Sequence, residues 1–518
     1  MRSNVQILVV GGGINGAGVA REAAARGYTT MLVEKNDFGH ATSGNSSKLI
    51  HGGIRYLEQA EFRLVNESLK ERKILLRTAP HLVRPARINI PVYRGDKRPG
   101  WMVQLGSKMY DWFAGRDNLN PSRGLSASER RNLPHLRQDG LRAVVQYSDA
   151  QTHDSRLVLE TALSAKSMGA DVLNYVEFVE AKPQTNGYLV KLKDFRCNQT
   201  FEVQTNYIIN AAGPWVPLLD QHVSQQHLRP GLSYVRGIHF VVRRKFEEGY
   251  LILPEDGRVI FVLPWHRNYT LIGTTESQFE GEHFDKIPSS HAEETYLYDH
   301  YNYFFPSSPI TEADVLHVYS GVRSLVETGE KDLSSISREY RLEDEPNGDK
   351  GGYLAVFGGK LTSYRALSQK VLEKISERLK PIDDSRADTS KDPLYGAVGH
   401  GLTETQLTDL KHQCLQAGIS GEIIDRWQWE YGNRWVQIAH YCLENDENLK
   451  PTVHPMFLRA ELLYNINDEM ARTLEDVTLR RTKWIYELGK SEQEKLEIEI
   501  KNMLPSDNTQ IRADISAV

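Results

Sequence analysis

The chain has 518 residues, 40% hydrophobic and 25% charged, enough for two or three globular domains and unlike a disordered or fibrous protein. Its 63 Lys and Arg against 68 Asp and Glu give a formal charge of -5, which excludes a protein that grips nucleic acid through its global charge. Three scattered cysteines, Cys197, Cys414 and Cys442, exclude a disulfide framework, a zinc knuckle or an iron–sulfur motif and fit a reducing compartment.

Residues 5–10 (VQILVV) read as a buried strand, Asn15 to Arg26, closed by Gly27, as a helix, and Thr29 to Glu34 as a second strand. Together they have the length of one βαβ crossover. Ser3 to Ala20 carries no charge and imitates a signal peptide, but the glycines between Gly11 and Gly18 would weaken a helical signal segment. No other run reaches the roughly 18 to 20 apolar residues of a bilayer span. Tyr188 to Lys193 and Thr200 to Gln204 alternate as paired strands, and Asn206 to Ala212 reads as another buried strand. Between Arg236 and Glu276 short strands follow one another around a turn at Asp256-Gly257 with no helix between them, an antiparallel sheet set into an α/β protein. Pro381 to His400 is polar and turn-rich and reads as a linker, after which helical periodicity prevails.

Gly11-Gly12-Gly13-Ile14-Asn15-Gly16 is a G-x-G-x-x-G between strand and helix, and Glu34 stands where an acid takes a dinucleotide's ribose hydroxyls. Gly11 allows the turn, Gly13 the approach of a pyrophosphate to the helix end, and Gly16 close packing of helix on strand. The motif alone does not separate FAD from NAD(P). A second loop, Ala41 to Leu57, mixes Thr42, Ser43, Ser46, Ser47 and Lys48 with His51, Gly52 and apolar Leu49 and Ile50, a composition suited to lying along a polyanionic cofactor. Gly358-Gly359-Lys360-Leu361-Thr362 places two glycines at a helix start, where backbone amides would face a flavin's oxygens. No metal-ligand spacing, P-loop or nucleophile elbow is present, so no metal site is expected.

These words, with SSKLIHGGIRYLE, EFRLV, NAAGPWV, YSGVR, FGGKLTSYR and LRRTKW in order, resemble almost end to end the FAD-dependent sn-glycerol-3-phosphate dehydrogenases of the bacterial respiratory type. The chain departs from that pattern at Gly44-Asn45, Ile238 and Ser324. The resemblance implies a Rossmann-like FAD-binding domain (1–75, 148–228 and 318–380), an antiparallel-sheet substrate cap (76–147 and 229–317), a linker (381–399) and a helical C-terminal domain (400–518). It implies FAD on Gly11, Gly13, Asn15, Gly16, Glu34, Thr42, Ser43, Ser46, Ser47, Lys48, His51, Gly52, Ala212, Gly213, Trp215, Gly358, Gly359, Leu361 and Thr362. The implied reaction oxidises sn-glycerol 3-phosphate to dihydroxyacetone phosphate, hydride passing from C2 to FAD and the electrons to membrane quinone. The phosphate would rest on Arg55, Tyr56, Arg338 and Lys360, and His239 and Arg323 would meet the C2 hydroxyl, with the choice of base left open.

Read without the resemblance, Arg55, Arg323 and Lys360 stand among glycines and apolar residues, which suits either an anionic ligand or a structural ion pair. His239 alone reads as a satisfied core histidine, and Arg338 as surface.

Residues 71–110 hold nine Lys or Arg against Glu71 and Asp96, a local balance of +7 that leaves about -12 for the rest. Interleaved with Trp101, Met102, Leu105, Met109, Tyr110, Trp112 and Phe113, they suit an anionic membrane surface or a plain cap-domain face. The first reading places the protein in the cytoplasm, peripheral on the inner face of the membrane. Rival readings are an oxidase passing electrons to oxygen, the same scaffold with an amine or hydroxy-acid substrate, and a flavin-dependent RNA-binding or RNA-modifying protein. The last lacks a basic tail and cysteine pairs, so no nucleic-acid partner is expected; a homodimer is compatible with the sequence.

Overall fold

The structure is a computed structural model and describes residues 2–58, 60–115, 119–223, 231–281, 283–327, 339–383 and 387–504. Two sheets carry the fold. In the first, the parallel strands run in the order Gly351–Phe357, Gln199–Asn210, Asn4–Val10, Thr30–Glu34, Asp171–Asn174, with Arg341–Asn347 antiparallel at one edge. Strands buried on both faces need apolar residues at every position, which is why VQILVV reads as continuous rather than alternating. The helices Ile14–Ala25, Asp154–Ser167 and Tyr364–Ile375 pack on this sheet and contribute Ala17, Ala20, Leu157, Leu163, Leu367 and Val371 to one core. The hairpin Val176–Gln184, Gly187–Asp194 continues antiparallel onto the first half of Gln199–Asn210, as the alternation at 188–193 and 200–204 predicts.

The second sheet contains the antiparallel strands Leu232–Val242, Gly249–Ile252, Ile260–Trp265 and Tyr269–Gly273 expected between 236 and 276. It is larger than that. Val83–Tyr93 and Leu141–Thr152 extend it beyond Gly249–Ile252, and Val315–Val326 pairs with Leu232–Val242 from Leu232↔Val326 to Val242↔Val315. The boundary expected at 318 therefore falls inside a strand of the second sheet. Pro85, Pro91, Arg84 and Arg87 hide Val83–Tyr93 from a pattern reading, because proline and charge argue against a strand with partners on both sides.

The segment after 380 is no free tether. Leu394 is buried and its N–H donates to the Thr78 carbonyl at 2.8 Å, the Gly396 N–H donates to Glu160 at 3.0 Å, and Arg21 donates to the carbonyls of Thr389 and Asp392. Beyond it the helices Glu404–Gln416, Gly421–Tyr431, Trp435–Glu444 and Arg459–Asn467 enclose Trp427, Tyr431, Ile438 and Tyr464, and Lys490–Met503 adds Leu496 and Ile500 to a second core with Phe457 and Leu462. Buried ion pairs weld this helical part to the first sheet's helices and loops: Arg156 to Glu469 at 2.6 Å, Arg480 to Asp37 at 2.7 Å, and Arg481 to Asp37.

Candidate active site

The Gly11–Gly16 loop turns at the carboxyl end of the parallel strands. A Cβ at position 16 would stand 1.8 Å from the Gly11 carbonyl oxygen, so only glycine lets the helix lie this close to its own strand. The helix has no acid in its first turn and its N-cap, Gly13, offers no side chain, which leaves its positive end facing the space outside the strands. Glu34 closes the neighbouring strand and accepts the N–H groups of Gly12 at 2.6 Å and Asn36 at 2.8 Å. Burial pushes its carboxyl upward, opposed by those two bonds.

From here a cavity of about 630 Å³ reaches the second sheet. Every expected cofactor residue except Gly16, Lys48 and Gly52 lines it. Gly16 packs beneath the loop, and Gly52 donates its N–H to the Tyr110 hydroxyl at 2.6 Å behind the wall. Lys48 corrects the expectation most clearly. Its Nζ is buried against both Asp154 oxygens, each at 2.7 Å, and the Gly44 carbonyl, so its charge holds the loop to helix Asp154–Ser167 instead of meeting a cofactor phosphate. The same carboxylate accepts from the Ser46 N–H and hydroxyl.

Four of the six expected catalytic and substrate residues meet at this cavity: Tyr56, His239, Arg323 and Lys360. Tyr56 sits on the short turn Ile54–Leu57, folded over Gly53, whose φ of +76° and missing Cβ, which would lie 2.1 Å from the ring, make room for it. The Lys360 Nζ stands 4.0 Å from the Tyr56 ring centroid. Arg55, on the same turn, is half-buried but does not line the cavity. Arg338 lies outside the described residues.

His239 is placed by strand pairing. Leu232–Val242 sets it opposite Tyr319 on Val315–Val326 and Gly273 on the other neighbour. Its ring stacks on Tyr319, centroids 4.9 Å apart and 12° from parallel, while Nε2 shares a hydrogen bond of 2.9 Å with the Ser47 hydroxyl. The Tyr319 hydroxyl donates to the Ser46 carbonyl at 2.8 Å, and Lys48 lies 4.7 Å from the Tyr319 ring. Burial, then the cations Arg323 and Lys48, holds the imidazole well below its ordinary 6.5, so it is neutral at physiological pH. Arg323 lines the cavity and also lies 3.6 Å from Glu276. Tyr319, Asp154 and Glu276 were not among the expected residues. Tyr319 stands within YSGVR, but nothing local says that its ring lies against His239.

The residues present fit a flavin dinucleotide. A glycine loop at a helix start and a half-buried acid at the next strand's end suit the adenosine diphosphate half. Asn15 Oδ1 and His239 Nδ1 are buried without a hydrogen-bond partner. Trp215 carries Lys35 over its ring at 4.3 Å.

Comparison with known proteins gives matches over nearly the whole chain. Residues 6–360 match the family described as FAD dependent oxidoreductase, and 387–505 the C-terminal domain of alpha-glycerophosphate oxidase. A glycerol-3-phosphate dehydrogenase of Pseudomonas aeruginosa is 34% identical over 492 residues, 95% of this chain and 94% of that one. A D-erythritol 1-phosphate dehydrogenase of Brucella abortus is 35% identical over 494 residues, 94% of this chain and 96% of that one. The crystal structure of a Bacillus halodurans glycerol-3-phosphate dehydrogenase complexed with FAD aligns with a TM-score of 0.74 at 25% identity, over 98% of this chain and 97% of that one.

Proposed function

The chain belongs to the FAD-dependent oxidoreductases, in the branch of the glycerol-3-phosphate dehydrogenases, and from that premise we propose that it oxidises sn-glycerol 3-phosphate to dihydroxyacetone phosphate with membrane quinone as acceptor. The observation that carries this reading is the convergence of Tyr56, His239, Arg323 and Lys360 on the cavity that the glycine loop opens. FAD, when bound by the loop, Glu34 and the 41–47 and 358–362 segments, supplies a two-electron acceptor for the hydrogen on C2 and a donor to quinone.

The chain's own groups do the rest. Lys360 neutralises the phosphate dianion, with Tyr56 beside it and Arg55 on the same turn, and so fixes which carbon stands over the cofactor. His239, kept neutral by burial, accepts the C2 hydroxyl proton as the carbonyl forms, while the Arg323 fork holds the oxygen as its charge develops. Arginine itself, with an ordinary pKa above 12, is a poor base. Ser47 and Tyr319 keep the imidazole ring in place. The second sheet closes over this chemistry as the substrate cap.

The helix Gly100–Ala114 supports attachment to an anionic membrane. Trp101 and Trp112 are 69% and 77% exposed, and Met102, Leu105 and Met109 complete one apolar face beside exposed Arg94 and Lys97. No helix among the described residues is long and apolar enough to cross a membrane. The basic stretch is less continuous than its sequence suggests: Arg72 is buried on Asp149 at 2.6 Å, Arg84 lies 3.0 Å over Trp429, and Arg87 donates to Gln146.

The test is anaerobic addition of substrate to the yellow holoenzyme while its flavin absorbance is followed. Bleaching by glycerol 3-phosphate, then reoxidation faster by a soluble quinone than by oxygen, is the expected outcome. Bleaching by erythritol 1-phosphate alone would move the substrate to a longer polyol phosphate, and faster reoxidation by oxygen would make the protein an oxidase.

A further inference from the structure

Where the loop 39–48 meets the C-terminal segment 479–486, a second cavity of about 20 Å³ adjoins the first and shares Gly39, His40 and Asn45 with it. Five of its twelve lining residues are basic, His40, Lys48, His317, Arg480 and Lys483, and none is acidic. The neighbouring carboxylates are engaged elsewhere. Asp154 spends both oxygens on Lys48, and Asp37 and Asp476 hold the Arg480 guanidinium. Lys483 has a different position. Its Nζ donates to the Leu479 carbonyl, and among the described residues it forms no ion pair. It is nevertheless buried, 3% exposed, as is Lys48 at 2%. Its backbone is left-handed, φ +63°, a conformation disfavoured for a side-chain-bearing residue, so the surrounding structure and not local preference puts it there.

Burial and neighbouring cations outweigh the opposing carboxylates Asp154 and Glu430 at Lys483. Burial, then Lys48, lowers Lys483 to about 7. Burial and then Lys483 hold His153 well below its ordinary range and His317 at about 4. A buried cation in excess must lose its proton or acquire a counter-ion. The volume decides which counter-ion is admissible. About 20 Å³ leaves room for a water or a compact inorganic ion and not for an organic anion. A water suits Lys483 only after it has lost its proton, whereas an anion lets it keep its charge.

We propose that this cavity is a binding site for a single small anion of chloride type, held between Lys483 and Arg480 beside the Lys48–Asp154 pair, which ties the C-terminal domain to the loop that also walls the cofactor cavity. The site is independent of the substrate reading. It makes the anion part of the domain junction and the charge partner of Lys483.

The experiment uses the flavin-loaded protein at constant ionic strength, with sodium gluconate replaced stepwise by sodium chloride or bromide. The unfolding temperature should rise saturably with either halide, by on the order of 1–2 °C. Lys483→Met should abolish the halide response while flavin content stays normal. Crystals grown in bromide should show an anomalous peak in the cavity beside Lys483. A parent protein indifferent to halide, or a cavity without bromide scattering, overturns the proposal, as does a halide response unchanged in Lys483→Met. If that variant does not fold, bromide scattering from the parent decides.

Discussion

The two ends of the main cavity are built by different means. At the first sheet the wall is backbone and glycine: Gly11, Gly13, Gly358 and Gly359 present peptide groups, and each lies in a short word of sequence. At the second sheet the wall is side chains, His239 and Arg323, with Tyr319 stacked behind His239, brought together by pairing two strands about 80 residues apart. A backbone cradle tolerates little addition of bulk, because what it offers is closeness. A side-chain site tolerates bulk better but depends on the angle and protonation of single groups. The two ends should therefore fail differently when altered.

The largest effect belongs to the backbone end. Gly16→Val puts carbon where the Gly11 carbonyl already is, and the loop must move. Purified variant should carry almost no flavin, read as the ratio of visible to ultraviolet absorbance, with stability lowered by about 4 kcal/mol or more. A yellow, normally stable Gly16→Val protein would break the contrast between the two ends.

Next comes Arg323→Lys, which leaves cofactor and fold in place and replaces a planar fork with a point charge. A fall in kcat/KM on the order of 10², about 2.7 kcal/mol, is expected, measured as the rate of anaerobic flavin reduction. If reduction proceeds at the parent rate, Arg323 serves only its pair with Glu276.

Ser47→Ala is a smaller change at the same end. It removes the partner of His239 Nε2 and should cost about fivefold in kcat with flavin content intact, since one neutral hydrogen bond is worth roughly 1 kcal/mol. Its pH profile sharpens the point. His239 is held below 6.5 in the folded protein, so the folded state binds a proton there less readily than the unfolded chain. The stability linked to it is complete above pH 6.5 and is lost as pH falls below that value, and the acid limb of kcat/KM should lie below 6.5 in the parent. An acid limb at or above 6.5 would remove His239 as the neutral base.

The smallest effect on chemistry is expected outside the cavity. Replacing Arg94, Lys97 and Arg98 with Ser should weaken flotation with anionic vesicles, each charge contributing roughly 1 kcal/mol that rising salt screens, and slow quinone reduction. Anaerobic flavin reduction should be unchanged. Unaltered flotation at moderate salt would leave the exposed tryptophans as the sole anchor or move the contact elsewhere.

The sequence by itself determined what is local. Six residues of loop between a buried strand and a helix, and one acid at the end of the next strand, specify a dinucleotide fold, because the conformations they need are available only to glycine and to a strand covered on both faces. The turn at Asp256-Gly257 and the alternating runs around it specify hairpins for the same reason. Only the tertiary structure decided what depends on partners distant in sequence. Lys48, in a loop composed as if for phosphate, is claimed by Asp154, over 100 residues away. Tyr319 becomes a support for His239 through register alone, since a shift of one residue would turn it to the other face of the sheet. The nine cations of 71–110 separate into a strand, two helices and a loop, so some meet carboxylates or rings and others meet solvent. Charge counted along a chain says nothing of which charges face one another, because pairing energies depend on separation and burial in space.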